Sequence, residues 1–260
     1  MRDIYLELMM HGEFLNKKNP SNNLKQKDQF EIAEYFLINE QINQYPLIEN
    51  SIQNKLISHS VMQSKYKDEL RKEIQSFYTD YQLEKGFNLL LQESSNYIDG
   101  ENYKKITDEI SKINYYINKI DYSKPLNSKL SVVLHISETT IETIIKIALA
   151  NYNEEDYESS LSLFSILACL ETDNEMFWYQ LGIVASQIQQ FNLALQAYNF
   201  AIILNPNLWG AKILSIECYI NTKQLSLARS ELIELKKNIT ISSLEPIWLE
   251  LIARLEKVIL

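Results

Sequence analysis

The chain has 260 residues, enough for one large or two modest domains, with only five glycines and five prolines among them. Its formal net charge of −9 weighs against nucleic acid or an anionic membrane surface as a partner. No stretch alternates polar and apolar residues as a strand would, and no run of about 18 apolar residues marks a membrane span, so the expected class is all-α. The opening MRDIYLELMM carries Asp3 and Glu7 without a basic lead or a small-residue cleavage site, so no signal peptide is expected. Cys169 and Cys218 stand alone inside predicted helices, as small buried residues in a reducing compartment do.

In chain order, residues 1–24 contain Gly12, Pro20 and the patch NKKNPSNN, which predicts a loose tail. A helical domain of no nameable family is expected over 25–128. Its first helix runs from Lys25 to Tyr45, stopped by Pro46, and its second from Leu47 to about His59. A long third helix spans about Lys65 to Ile98, broken by Asp99-Gly100. The fourth carries Tyr103, Ile106, Ile110, Ile113, Ile117 and Ile120 at alternating spacings of three and four. That is a seam for lengthwise packing, against the long helix or against a second chain. The polar segment DYSKPLNSK, Asp121 to Lys129, divides the halves, and Ser137 or Thr140 is placed to cap the helix after it.

The second half, 132–260, is organised around Glu175 to Leu208. Trp178, Leu181 and Gly182 are followed by Ala194, Tyr198, Ala201 and Pro206. This is the spacing of the tetratricopeptide repeat, two antiparallel helices per unit of about 34 residues. Small residues at Gly182, Ala194 and Ala201 let helices approach, Trp178 and Tyr198 fill the remaining volume, and Pro206 ends the second helix. One repeat cannot cover its own apolar face, so neighbours are expected. In register lie Ile144, Ile147, Ala148, Tyr157, Ser160, Phe164 and Leu167 before it, and Lys212, Ser215, Ile216, Leu225, Ala228, Leu232 and Leu235 after it. Three repeats at about 141–174, 175–208 and 209–242 are then closed by a capping helix over 243–260, with Glu245 and Pro246 in its first turn.

In such stacks the first helix of each repeat lines the concave side through positions spaced three, four and three apart. Here they are Glu142, Ile145, Leu149 and Tyr152; Met176, Tyr179, Ile183 and Ser186; and Gly210, Ile213, Glu217 and Ile220. Most are large and apolar, which predicts a groove for an extended peptide with hydrophobic anchors, filled by a partner or by another part of the chain. Repeats that grip a terminal carboxylate place Lys, Arg and Asn where Ile145, Leu149, Tyr179 and Ile183 stand, so that mode is not expected. Between Glu138 and Glu175 nine carboxylates meet one Lys146, either a solvated face or a rim that steers a basic partner.

The block from Leu149 to Leu235 resembles the class II chaperones of bacterial type III secretion, which escort translocator proteins. The resemblance is carried by Tyr152 and Tyr157, MFWYQLG at 176–182, Phe191-x-x-Ala194 with Tyr198, and IECYINTKQLSLARSEL at 216–232. It implies a cytoplasmic, ATP-independent holder of a secreted translocator-like client, pairing as a homodimer through the helix before the repeats. The chain departs from that family in carrying about 135 residues ahead of its first repeat. The alternative is a generic repeat scaffold joining two proteins, one through each half.

No catalytic residues, cofactor or metal are expected. Phosphate-binding, dinucleotide and zinc-protease motifs are absent, and His11, His59 and His135 lie far apart without companion ligands. Glu154, Glu155 and Asp156 read as helix-start residues rather than an acid/base pair.

Overall fold

The computed structural model describes residues 81–119, 128–238 and 246–259. The expected tail at 1–24, the helices over Lys25–Tyr45 and Leu47–His59, and the first part of the long helix lie outside the described residues. So do most of the dividing segment and the start of the closing one. Every regular element among the described residues is a helix: α1 (Tyr81–Glu93), α2 (Gly100–Ser111), α3 (Ile113–Ile117), α4 (Leu130–Val133), α5 (Glu138–Asn153), α6 (Tyr157–Leu170), α7 (Glu175–Gln187), α8 (Phe191–Leu204), α9 (Trp209–Asn221), α10 (Leu225–Asn238) and α11 (Pro246–Ile259), with one 3-10 turn at Ser94–Asn96. The described residues are all-α, and their helical hairpins form a tetratricopeptide-like stack closed by α11. No helix among the described residues is long and apolar enough to cross a membrane.

Three hairpins, α5–α6, α7–α8 and α9–α10, share one turn. Glu155, Gln189 and Lys223, each 34 residues from the next, adopt left-handed backbone with φ of 64°, 61° and 62°. The amide that follows each donates back five residues, Asp156 to the Asn151 carbonyl, Gln190 to Ala185 and Gln224 to Tyr219. The turn is therefore a helix C-terminal motif in which one left-handed residue satisfies carbonyls that the ended helix leaves free. Asp156 then caps α6 by accepting from the Ser159 amide, and Asn174 caps α7 by accepting from Met176. Helix α8 stops at Leu204, and Asn205 ahead of Pro206 turns extended.

Equivalent positions of the hairpins enter one core. Phe164, Tyr198 and Leu232 are buried, as are Ser160, Ala194 and Ala228, and Leu167, Ala201 and Leu235. A Cβ on Gly182 would stand 2.4 Å from the Tyr198 ring, so this glycine makes room for an aromatic side chain rather than for a backbone. Where the other hairpins carry Ala194 and Ala228, Ser160 donates to the Ala148 carbonyl at 2.9 Å. The Trp178 ring stacks on Phe200 at 4.4 Å, and its indole N–H donates to the Thr172 carbonyl at 2.9 Å, tying α7 to the connection before it.

The described front segments brace the first hairpin from its α6 side. Helix α1 approaches closely at Gly86, where a Cβ would lie 2.5 Å from Ile166 and 2.9 Å from the Ser162 carbonyl. Glu93 at its end accepts from the Asn151 amide at 3.1 Å. The periodic segment is two helices, α2 and α3, parted at Lys112; Ile106 and Ile113 are buried in the same core as Leu90 and Ile144. Asp99 begins α2 by accepting from the Glu101 and Asn102 amides. The start of α5 is held from outside its own sequence: the Ser137 side chain makes no capping bond, and Glu109 of α2 accepts from the Ser137 amide at 3.0 Å and the Thr140 hydroxyl at 2.6 Å. Lys129 reaches Glu171 at 2.5 Å and Asp173 at 2.9 Å, locking α4 to the connection between α6 and α7.

Candidate functional site

Helices α5, α7 and α9 are the first helices of the three hairpins, and their predicted stripe divides by depth. Tyr152, Tyr179, Ile183 and Ile213 are buried, whereas Ile145, Leu149, Met176 and Ile220 are half-buried and Glu142 is exposed. The buried four form a packed floor, in which the second helix of a hairpin covers the first. Tyr152 meets Tyr157 edge-on at 5.2 Å, and Tyr179 lies against Tyr198 at 6.1 Å. Periodicity marked the stripe but could not separate floor from rim, because the stack and not the helix determines which residues are covered.

At the third hairpin the surface is shaped by α11. Gly210 on α9 has no side chain, and a Cβ there would meet the Tyr179 hydroxyl at 2.6 Å and the Trp248 ring at 2.7 Å. Two aromatic residues, one from α7 and one from α11, thus converge over α9 at the one stripe position that is glycine. Seven residues along α9, Glu217 pairs with Arg254 of α11 at 2.8 Å. Leu251, Leu255 and Ile259 bury the inner face of α11, and Arg229 donates to the Ile259 carbonyl at 2.8 Å. The closing helix therefore covers the flank of the last hairpin and also contributes Trp248 to the stripe region.

The floor holds polar atoms that none of the described contacts satisfy. The Tyr179 hydroxyl and both amide atoms of Gln180 are buried without a hydrogen-bond partner. Burial alone pushes the Tyr179 phenol far above its ordinary range. Gln180, which the stripe had not included, belongs with Met176 and Ile183 at helical spacings of four and three. An open cavity of about 70 Å³ lies between α7 and α9, lined by Ser186, Gln187, Phe191, Glu217, Cys218 and Asn221. Ser186 and Glu217 are stripe positions. The cavity was invisible to a reading helix by helix, since its α7 and α9 walls are 30 to 35 residues apart in the chain.

No protein-family model matches the chain. Over 103 residues it is 24% identical to the low calcium response locus protein H of Yersinia pestis, which takes in 40% of this chain and 61% of that protein. The same protein from Yersinia pseudotuberculosis serotype I (strain IP32953) matches to the same extent. The chain thus spans about three fifths of the length of the curated relatives it matches. Among solved structures, the type III secretion translocator chaperone SycD of Yersinia enterocolitica is 22% identical with a TM-score of 0.43, covering 51% of this chain and 96% of its own. A type III secretion complex from Aeromonas hydrophila is 20% identical, TM-score 0.44, over 51% of this chain and 86% of that one. The CopN-Scc3 complex is 21% identical, TM-score 0.45, over 56% and 85%.

Proposed function

We propose that this chain is a non-catalytic chaperone that holds an extended, hydrophobic-anchored segment of a secreted, translocator-like partner along α5, α7 and α9. The observation that carries this reading is the half-buried apolar rim. Ile145, Leu149, Met176 and Ile220 keep part of their surface in water on three successive first helices, beside a floor that is already packed. Apolar side chains in that setting gain about 25 cal/mol for each Å² a partner covers, and an extended segment can reach all three helices. Similarity to the low calcium response locus proteins and to type III secretion chaperones supports a secreted client as the partner. Such a holder works where the client is made, so its expected place is the bacterial cytoplasm.

Co-purification from the native cell with mass spectrometry of the bound protein identifies the client. That client is expected to be insoluble or proteolysed when expressed alone and soluble in complex. Leu149→Glu and Met176→Glu place charge on the half-buried rim, where the fold tolerates it, and are expected to abolish capture with the helical circular dichroism unchanged. Tyr179→Glu is unsuited to the purpose, because a charge at that buried position disrupts the core itself. Capture that survives both rim variants removes the groove reading, and partners that are stable apart favour a scaffold.

A further inference from the structure

The cavity between α7 and α9 differs in chemistry from the apolar rim. Ser186 donates its hydroxyl to the Gly182 carbonyl at 2.9 Å and stands 3.3 Å from the Tyr198 hydroxyl, so its oxygen is engaged within the protein. Cys218 forms the inner wall 3.4 Å from the Ser186 hydroxyl. Burial pushes its thiol up to about 11, so that wall is neutral at physiological pH. The Gln187 and Asn221 amides each carry donors and an acceptor, Phe191 supplies an apolar side, and Glu217 has its charge met by Arg254.

Size and charge narrow what such a site accepts. At about 70 Å³ and open to solvent, it suits a side chain of a few heavy atoms. A carboxylate would face Glu217. An ammonium would compete with Arg254 for the Glu217 carboxylate. A purely aliphatic group would leave the Gln187 and Asn221 amides without a partner on that side. A hydroxyl answers the Gln187 and Asn221 amides, and an adjoining methyl answers Phe191.

We propose that this cavity is a selectivity pocket that takes a threonine or serine side chain of the bound segment, setting its register between the apolar anchors. The inference rests on the groove reading above, since Ser186 and Glu217 belong to the same stripe. It predicts a client motif in which a small hydroxyl residue stands at one fixed distance from the hydrophobic anchors.

The test uses the full chain and a randomised twelve-residue peptide library. Peptides selected on the unaltered protein are expected to share apolar anchors and Ser or Thr at one register. Replacing that residue by Val in the best peptide is expected to weaken binding about tenfold, the worth of one well-made hydrogen bond. Ser186→Leu fills the pocket, and Asn221→Trp closes its mouth from an exposed position where folding is not at stake. Each is expected to erase the hydroxyl preference while the anchors persist. Selected peptides with anchors and no hydroxyl preference, or equal affinity for the Asn221→Trp variant, overturn the pocket and leave the groove standing. Peptides that bind Leu149→Glu as well as the unaltered chain, or a selection that returns no binder, overturn the groove and the pocket with it.

Discussion

Helices α6 and α10 are the same element of two different hairpins, yet they live in different surroundings. In α6 every residue from Ser159 to Leu170 is buried. In α10 only Ala228, Leu232 and Leu235 are buried, and Leu225 and Ile233 are half or more exposed. The cause is place in the stack. Among the described residues, helix α6 is enclosed by α5, α7, α4 and α1, whereas α10 packs chiefly against α9 and α11. Its sequence agrees: α6 is YESSLSLFSILACL with serines whose hydroxyls bond back to carbonyls, as Ser162 does to Glu158 and Ser165 to Leu161, while α10 carries five charged residues. A repeat motif thus specifies a hairpin, but how deeply that hairpin is buried depends on what its neighbours supply.

Substitutions that read this contrast should differ in size. Phe164→Ala on α6 empties a fully enclosed site and is expected to cost about 3–5 kcal/mol in denaturant unfolding, while Leu232→Ala at the equivalent place on α10, where α11 can settle inward, should cost about 2 kcal/mol. Equal losses would show that α10 is as tightly held as α6. Gly182→Ala drives a methyl into the Tyr198 ring within the middle hairpin and is expected to cost about 1–3 kcal/mol in the same measurement. Gln180→Met has the opposite sign. Removing two unsatisfied buried atoms at nearly constant volume should raise stability by about 1 kcal/mol, seen as a higher Tm. A lower Tm would mean that the amide is satisfied within the free protein.

The thiols give a smaller, pH-dependent contrast. Cys169 on α6 and Cys218 on α9 both have pKa values raised by burial, Cys218 to about 11. A raised value in the folded state means stability that is complete at neutral pH and falls as pH climbs from the ordinary thiol range toward about 11. Cys218→Ala is expected to flatten that decline in pH-dependent denaturation. In the native chain a neutral thiol reagent should modify Cys218, which borders the cavity, before Cys169; the reverse order would place the looser packing at the first hairpin. Smallest of all, Ile233→Gln on the exposed side of α10 should move stability by less than about 0.5 kcal/mol.

What could be read from the residues was whatever recurs along one chain segment. Trp178, Gly182, Ala194, Tyr198 and Pro206 announce a hairpin because each acts within it, and helix ends at Leu204 and Asn153 follow from local turn chemistry. The seam from Tyr103 to Ile120 showed its apolar face, but its spacing did not reveal the break at Lys112. Contacts between distant segments were out of reach. Glu109 capping α5, Trp248 meeting Tyr179 over Gly210, and the Ser186–Glu217 cavity each join parts of the chain that no local pattern relates. The stripe suffered the same limit, because only the assembled hairpins distinguish Ile183 at the floor from Leu149 at the rim.

The matched left-handed turns at Glu155, Gln189 and Lys223 constrain how this chain can change length. One residue added or removed inside a helix between these turns would rotate the helical positions beyond it by about 100° about the helix axis and take the packed face out of register. Insertions and deletions within the helices of 138–238 should therefore be tolerated best as whole 34-residue modules. The chain can acquire or discard an entire hairpin more readily than a single amino acid within one of its helices.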